Sequence, residues 1–124
     1  MLTITEEKHI HITRGDIATL DICIKQQDGS YYTFAIKDVV RLTVVAKNNY
    51  NEILIQKDVE VEAETEVVSI LLNKEDTRFA QNVSKPVDYW YEIELNPETA
   101  PQTIIGHDED GAKIFRIYPE GGNH

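Results

Sequence analysis

Val87-Asp88-Tyr89-Trp90-Tyr91-Glu92-Ile93-Glu94-Leu95 alternates residue by residue and is closed by Asn96-Pro97. Successive side chains of a strand point to opposite faces, so Tyr89, Tyr91, Ile93 and Leu95 share one side while Asp88, Trp90, Glu92 and Glu94 share the other. A sheet that is covered on one face and solvated on the other needs this pattern.

Working outward, the same two-residue period recurs between turn signals. His9 to Thr13 leads through Arg14-Gly15-Asp16 into a strand over Ile17 to Lys25, with Ala18, Leu20, Ile22 and Ile24 on the buried face. Asp28-Gly29 reverses the chain into a strand over Tyr31 to Ile36, because glycine accepts the positive φ that tight hairpins require. Arg41 to Lys47 forms the next strand, Asn48 to Asn51 a loop, and Glu52 to Lys57 a further strand. Val59-Glu60-Val61 and Val67 to Leu72, divided by Glu64-Thr65-Glu66, suggest a long hairpin. Asn73 then caps a helical turn over Lys74 to Ala80, with Glu75 and Asp76 where the helix dipole favours negative charge. After a loop over Gln81 to Lys85 comes the alternating stretch quoted above. Gln102 to Ile105, an Asp110-Gly111 reversal and a strand over Ala112 to Tyr118 complete the pattern, with 120–124 expected to be a flexible tail. About nine short strands and one helical turn imply a single all-β domain over 1–124, built as a two-sheet sandwich.

Composition narrows the function classes. The 124 residues carry 22 acidic and 12 basic side chains, a formal net charge of −10, which repels nucleic-acid backbones and anionic membrane surfaces. The acids recur at alternate strand positions, as in Glu60-Val61-Glu62-Ala63-Glu64, and fit a solvated sheet face. The lone Cys23 excludes an internal disulfide and reads as a buried structural thiol inside the apolar run Ala18 to Ile24. The first residues show no basic segment followed by an apolar one, and no run approaches the roughly 20 apolar residues of a membrane span, so synthesis in the cytoplasm without a signal peptide is expected.

Candidate chemistry is sparse. His9 and His11 share one side of a strand, but Ile10 and Ile12 claim the buried side, and no third close ligand completes a metal set. His107-Asp108-Glu109-Asp110-Gly111 gathers carboxylates without the spacing of a calcium loop and reads as a hairpin turn. Arg14-Gly15-Asp16 matches a short integrin-ligand tripeptide, yet it joins two predicted strands and is explained as a turn. Neither a phosphate loop nor a nucleophile elbow is present, so neither an enzyme nor a cofactor is expected, and no metal. Trp90 is the exception, an outward aromatic between Asp88 and Glu92. Three roles are open to it: packing under a loop, contact with another subunit, or stacking on a sugar. Ile53-Leu54-Ile55 is a second candidate contact, since consecutive apolar residues leave neither strand face polar.

Three segments carry a resemblance. Ile12-Thr13-Arg14-Gly15-Asp16 with its following strand, Leu71-Leu72-Asn73-Lys74-Glu75-Asp76-Thr77, and Tyr89 to Leu95 with Thr103-Ile104-Ile105-Gly106 and Ile114-Phe115-Arg116-Ile117 resemble small immunoglobulin-like structural proteins of phages and prophages of Gram-positive bacteria. The amino-terminal domain of baseplate upper proteins is among these. The resemblance implies an immunoglobulin-like antiparallel β-sandwich with one short helical turn. A helical turn followed by a tyrosine at the start of a strand also suggests a tyrosine corner, in which Tyr89 or Tyr91 hydrogen-bonds upstream backbone and locks the loop. The resemblance also implies a non-enzymatic, virion- or tail-associated component that contacts itself or other virion proteins, with no small-molecule ligand. From a different class, a bacterial carbohydrate-binding or adhesive module would use Trp90, Tyr31 and Tyr32 as a stacking platform.

Overall fold

The computed structural model describes residues 3–4, 8–78, 84–107 and 111–120. Its elements run β1 (Thr3–Ile4), β2 (Ile10–Thr13), β3 (Ala18–Ile22), β4 (Val39–Ala46), β5 (Asn49–Glu60), β6 (Val68–Leu72), α1 (Lys74–Thr77), β7 (Val87–Leu95), β8 (Gln102–Ile105) and β9 (Lys113–Tyr118). The larger sheet has the order β1-β2-β9-β7-β4-β5, with β8 also paired to β7, and the smaller sheet is β3-β6. This is an all-β sandwich with one short helix.

The alternation in β7 does what its sequence demands. Tyr91, Ile93 and Leu95 are buried, and Glu92 and Glu94 lie on the other face. Val40, Leu42 and Val44 of β4 stand opposite Leu95, Ile93 and Tyr91, so their inward rows meet as cross-strand pairs. Ile10 and Ile12, Phe115 and Ile117, and Ile55 extend the same layer, while Leu20, Ile22, Val68, Ile70 and Leu72 cover it from the smaller sheet.

Sequence and structure part at several places, each with a local cause. One pairing is parallel: β2 runs alongside β9, with Ile12 opposite Ile117. Having joined the free side of β9, β2 must hand the chain to β3 at the end marked by Tyr118, whose carbonyl accepts from the Arg14 amide at 3.0 Å. Tyr31 to Ile36 is not a strand. It is held by single bridges from Tyr31 to Lys25 and from Phe34 to Thr65, and it delivers the fully buried Phe34 into the core. The expected 59–61/67–72 hairpin is also absent, since Val59 and Glu60 belong to β5, which pairs with β4, while β6 pairs with β3. The chain there crosses from one sheet to the other instead of folding back.

Cys23 is exposed, not buried. Its neighbour Ile22 is the last residue of β3 and points inward, so alternation turns residue 23 outward. Helix α1 stops at Thr77, and 79–83, which include the end of its expected range and the start of the following loop, lie outside the described residues. The turn Asp28-Gly29 forms as its sequence requires, with Gly29 at φ 91°. The expected tail is fastened at its first residue: the Glu120 carboxylate accepts from Arg14 Nη1 and from Arg78 Nε, each at 2.9 Å. Residues 121–124 lie outside the described set.

The Arg14-Gly15-Asp16 turn is built into this corner. The Gly15 amide donates to Thr77 Oγ1 at 2.9 Å, and that buried hydroxyl donates to the Asp16 carbonyl at 3.0 Å. Gly15 has φ +85°, which strains any residue with a Cβ, and a Cβ there would lie 2.7 Å from Glu120 Oε1 and push the ion pair aside.

Phe34 is fully buried on a segment with almost no ladder of its own, so its ring anchors that segment. Phe34→Ala is expected to cost about 3–5 kcal/mol of unfolding free energy in urea denaturation.

Candidate functional site

The outward face of the larger sheet holds Trp90. Its backbone pairs with Val45 of β4 and Ile114 of β9, placing the indole near the middle of that face. The indole is half-buried and packs on Tyr50, with ring centroids 5.0 Å apart and planes tilted by 43°. Val45 is 4% exposed although it also points outward, whereas Ile53 beside it is 53% exposed. Packing and availability for contact therefore coexist at Trp90.

Tyr50 reaches this cluster through an irregularity that the sequence reading missed. The β4–β5 turn is tight, with Asn48 at φ 66°, and β5 begins at Asn49 instead of after a four-residue loop. Register shifts follow: Val44 opposes Ile55, Val45 opposes Ile53, and Ala46 opposes Asn49. The extra residues form a bulge that swings Tyr50 onto the outward face. The same bulge explains Ile53-Leu54-Ile55. Ile55 is buried in the core opposite Val44, Leu54 is half-buried at the shift, and Ile53 faces solvent. Of the three candidate contacts, Ile55 is therefore a core residue.

Charges frame the apolar cluster unevenly. Arg116 grips Asp88 through two bonds of 2.6 and 3.0 Å, and its guanidinium holds that carboxyl below the usual range. Arg41 likewise bonds Asp58 at 2.7 Å and Glu98 at 2.8 Å. Glu92, on β7 between Trp90 and Glu94, has no ion-pair or hydrogen-bond partner among the described residues. The chain after β8 passes beside it, since a Cβ on Gly106 would lie 3.8 Å from Glu92 Cβ. That burial first, and the charge of Glu94 second, push the Glu92 carboxyl above its ordinary value. Burial and the charge of Glu92 push the Tyr50 hydroxyl up as well, and that hydroxyl lies 3.3 Å from His107 Nδ1.

The remaining candidates fall elsewhere. Tyr91 is buried, and its hydroxyl donates to the Lys8 carbonyl; burial pushes its pKa up and keeps it a donor. The bond ties β7 to the approach to β2 and not to the loop before β7, whose residues 79–83 are outside the described set. Tyr89 is half-buried against the core. Tyr32 donates to Asp38 at 2.9 Å and packs edge-on against Phe34, so it is committed to the interior side and forms no platform with Trp90. His9 is not free in solvent as expected: its Nδ1 accepts from the Ile114 amide at 2.9 Å. His11 stacks edge-on with Tyr118 at 5.7 Å. Asp108, Glu109 and Asp110, in the acidic turn, are outside the described residues.

A cleft of about 120 Å³ opens between the layers, lined by Ile10, Leu20, Ile22, Tyr91 and Ile93, with Lys8 and Asp21 also on its wall. Two more open grooves are larger, about 400 Å³ between Val59 and Ser69 and about 320 Å³ beside Thr103, Gly106 and His107. No helix among the described residues is long and apolar enough to cross a membrane.

The fold and its outward patch thus define the class as an all-β sandwich that presents an aromatic, acid-flanked sheet face. Comparison of the chain with protein-family models, curated proteins and solved structures finds no match.

Two outcomes follow from these geometries. Tyr91→Phe is expected to lower unfolding free energy by about 1 kcal/mol, because the Lys8 carbonyl loses its donor. For Glu92, a raised folded pKa means that ionisation costs stability: the penalty is absent below the unfolded pKa and complete above the folded one. Glu92→Gln should therefore be more stable than the parent at pH 7, by less than about 1 kcal/mol given solvent screening of a half-exposed group. Urea titrations at pH 7 and near pH 4 should show that gain shrinking in acid.

Proposed function

We propose that this chain is a non-enzymatic, virion- or tail-associated structural protein of a phage or prophage, working through sheet edges and faces that meet copies of itself or neighbouring virion proteins. The observation that carries the reading is the free edge of β5. This strand is twelve residues long and has β4 as its sole ladder partner among the described residues. β6 and the Lys57–Asp76 ion pair approach its later half, while its earlier half exposes Ile53 beside Tyr50 and Trp90. A long edge with unpaired amides and carbonyls is a template for an added strand unless it is guarded. The phage setting is supported by the resemblance of the opening turn, the Asn73 turn and the closing strands. The carbohydrate-binding alternative has less support, because Tyr32 is engaged with Asp38 and Phe34.

Light scattering against concentration tests the reading. The parent is expected to exceed the 14.2 kDa of one chain, and Ile53→Asp to return it to that mass with an unchanged strand-type circular dichroism spectrum. A parent that stays monomeric at every concentration, or an oligomer indifferent to this substitution, overturns assembly through β5.

A further inference from the structure

We propose that the outward face around Trp90 docks a basic, partly apolar segment of a different protein, an arginine or lysine of which meets Glu92 while its aliphatic stem lies on Trp90 and Tyr50. The inference rests on the reading of the chain as an assembly subunit and adds the chemistry of one partner, distinct from the copy that would add to the edge of β5.

Charge complementarity selects the occupant. On this face Asp88 and Asp58 already have guanidinium partners, at 2.6 and 2.7 Å. Glu92 and Glu94 have none among the described residues, and Glu92 is partly desolvated beside the indole. A partner cation would relieve both the repulsion between these two carboxylates and the desolvation of Glu92. Arginine and lysine suit the remaining surface as well, since their stems cover apolar area and their charged heads are attracted to the faces of tryptophan and tyrosine. A second copy fits poorly. A twofold contact through this face would set Glu92 and Glu94 against their own images, in a chain whose net charge is −10. The exposed Tyr50 and the half-buried Trp90 supply the apolar centre that such contacts require.

Trp90 is the sole tryptophan, so its fluorescence reports on this face alone. The probe is an acetylated, amidated hexapeptide alternating arginine and leucine, with the glutamate–leucine hexapeptide as its acidic counterpart. Saturable change in Trp90 emission is expected with the basic peptide and none with the acidic one. The Glu92→Gln/Glu94→Gln double variant should weaken binding by roughly tenfold, as loss of two partly exposed ion pairs implies. Glu62→Gln/Glu64→Gln changes net charge equally at exposed positions away from β7 and should leave affinity within about twofold of the parent.

Equal weakening in both double variants would reduce the effect to net charge and overturn the proposal, as would no response to the basic peptide. An emission change on raising protein concentration without peptide that persists in Ile53→Asp would assign the face to a second copy and overturn it too. If Ile53→Asp abolishes assembly while the peptide fails to bind, the assembly reading survives and this inference does not.

Discussion

A two-stranded layer has to roof a seven-stranded one. The inward rows of β2, β9, β7, β4 and β5 form a broad apolar floor, and the two strands β3 and β6 are too few to cover it all. Apolar surface left open to water would cost about 25 cal/mol per Å², so irregular segments must complete the cover. Phe34 and Val61 do this from outside any strand, and both are buried. Asp38 fixes the edge of the same roof, accepting from the Ala35 amide and the Tyr32 hydroxyl, each at 2.9 Å, and from Asn96 Nδ2 at 3.1 Å. Burial works against the ionised form of Asp38, but these three bonds outweigh it and hold its carboxyl below the ordinary value.

The division into floor and roof explains why the sequence was legible where it was. In β2, β7 and β9 one face is buried and the other is not, so hydrophobicity alternates and strand identity can be read directly. Tyr31 to Ile36 carries the same aromatic and β-branched composition, yet it serves as cover. Composition rewards burial without saying whether a ladder accompanies it. Asn96 shows a related limit. Asn96-Pro97 marks the end of β7, but the pattern does not reveal that Asn96 Oδ1 accepts from the Val39 amide at 2.9 Å and thereby starts β4.

The candidate site was legible in part for the same reason. Alternation alone places Trp90 outward, and the structure agrees. Tyr50 and the split fate of Ile53 and Ile55 depend on a bulge, which shifts faces within one strand and leaves no period in the chain to betray it. Nor does pattern distinguish Glu92 from Asp88: both are outward acids, but one has an arginine and the other does not. That difference arises from register, because Arg116 lies opposite Asp88 across the β7–β9 pair.

The parallel pairing of β2 with β9 has a consequence for biogenesis. Apart from the two-residue β1, the short strand β2 finds its partner only in the last strand, so a growing chain cannot close the larger sheet until β9 has left the ribosome. Until then the sides of β2 and β7 that will face β9 remain unpaired and adhesive. Closure over so long a separation in sequence is also slow, which leaves the half-made sheet sensitive to how crowded its nascent copies are.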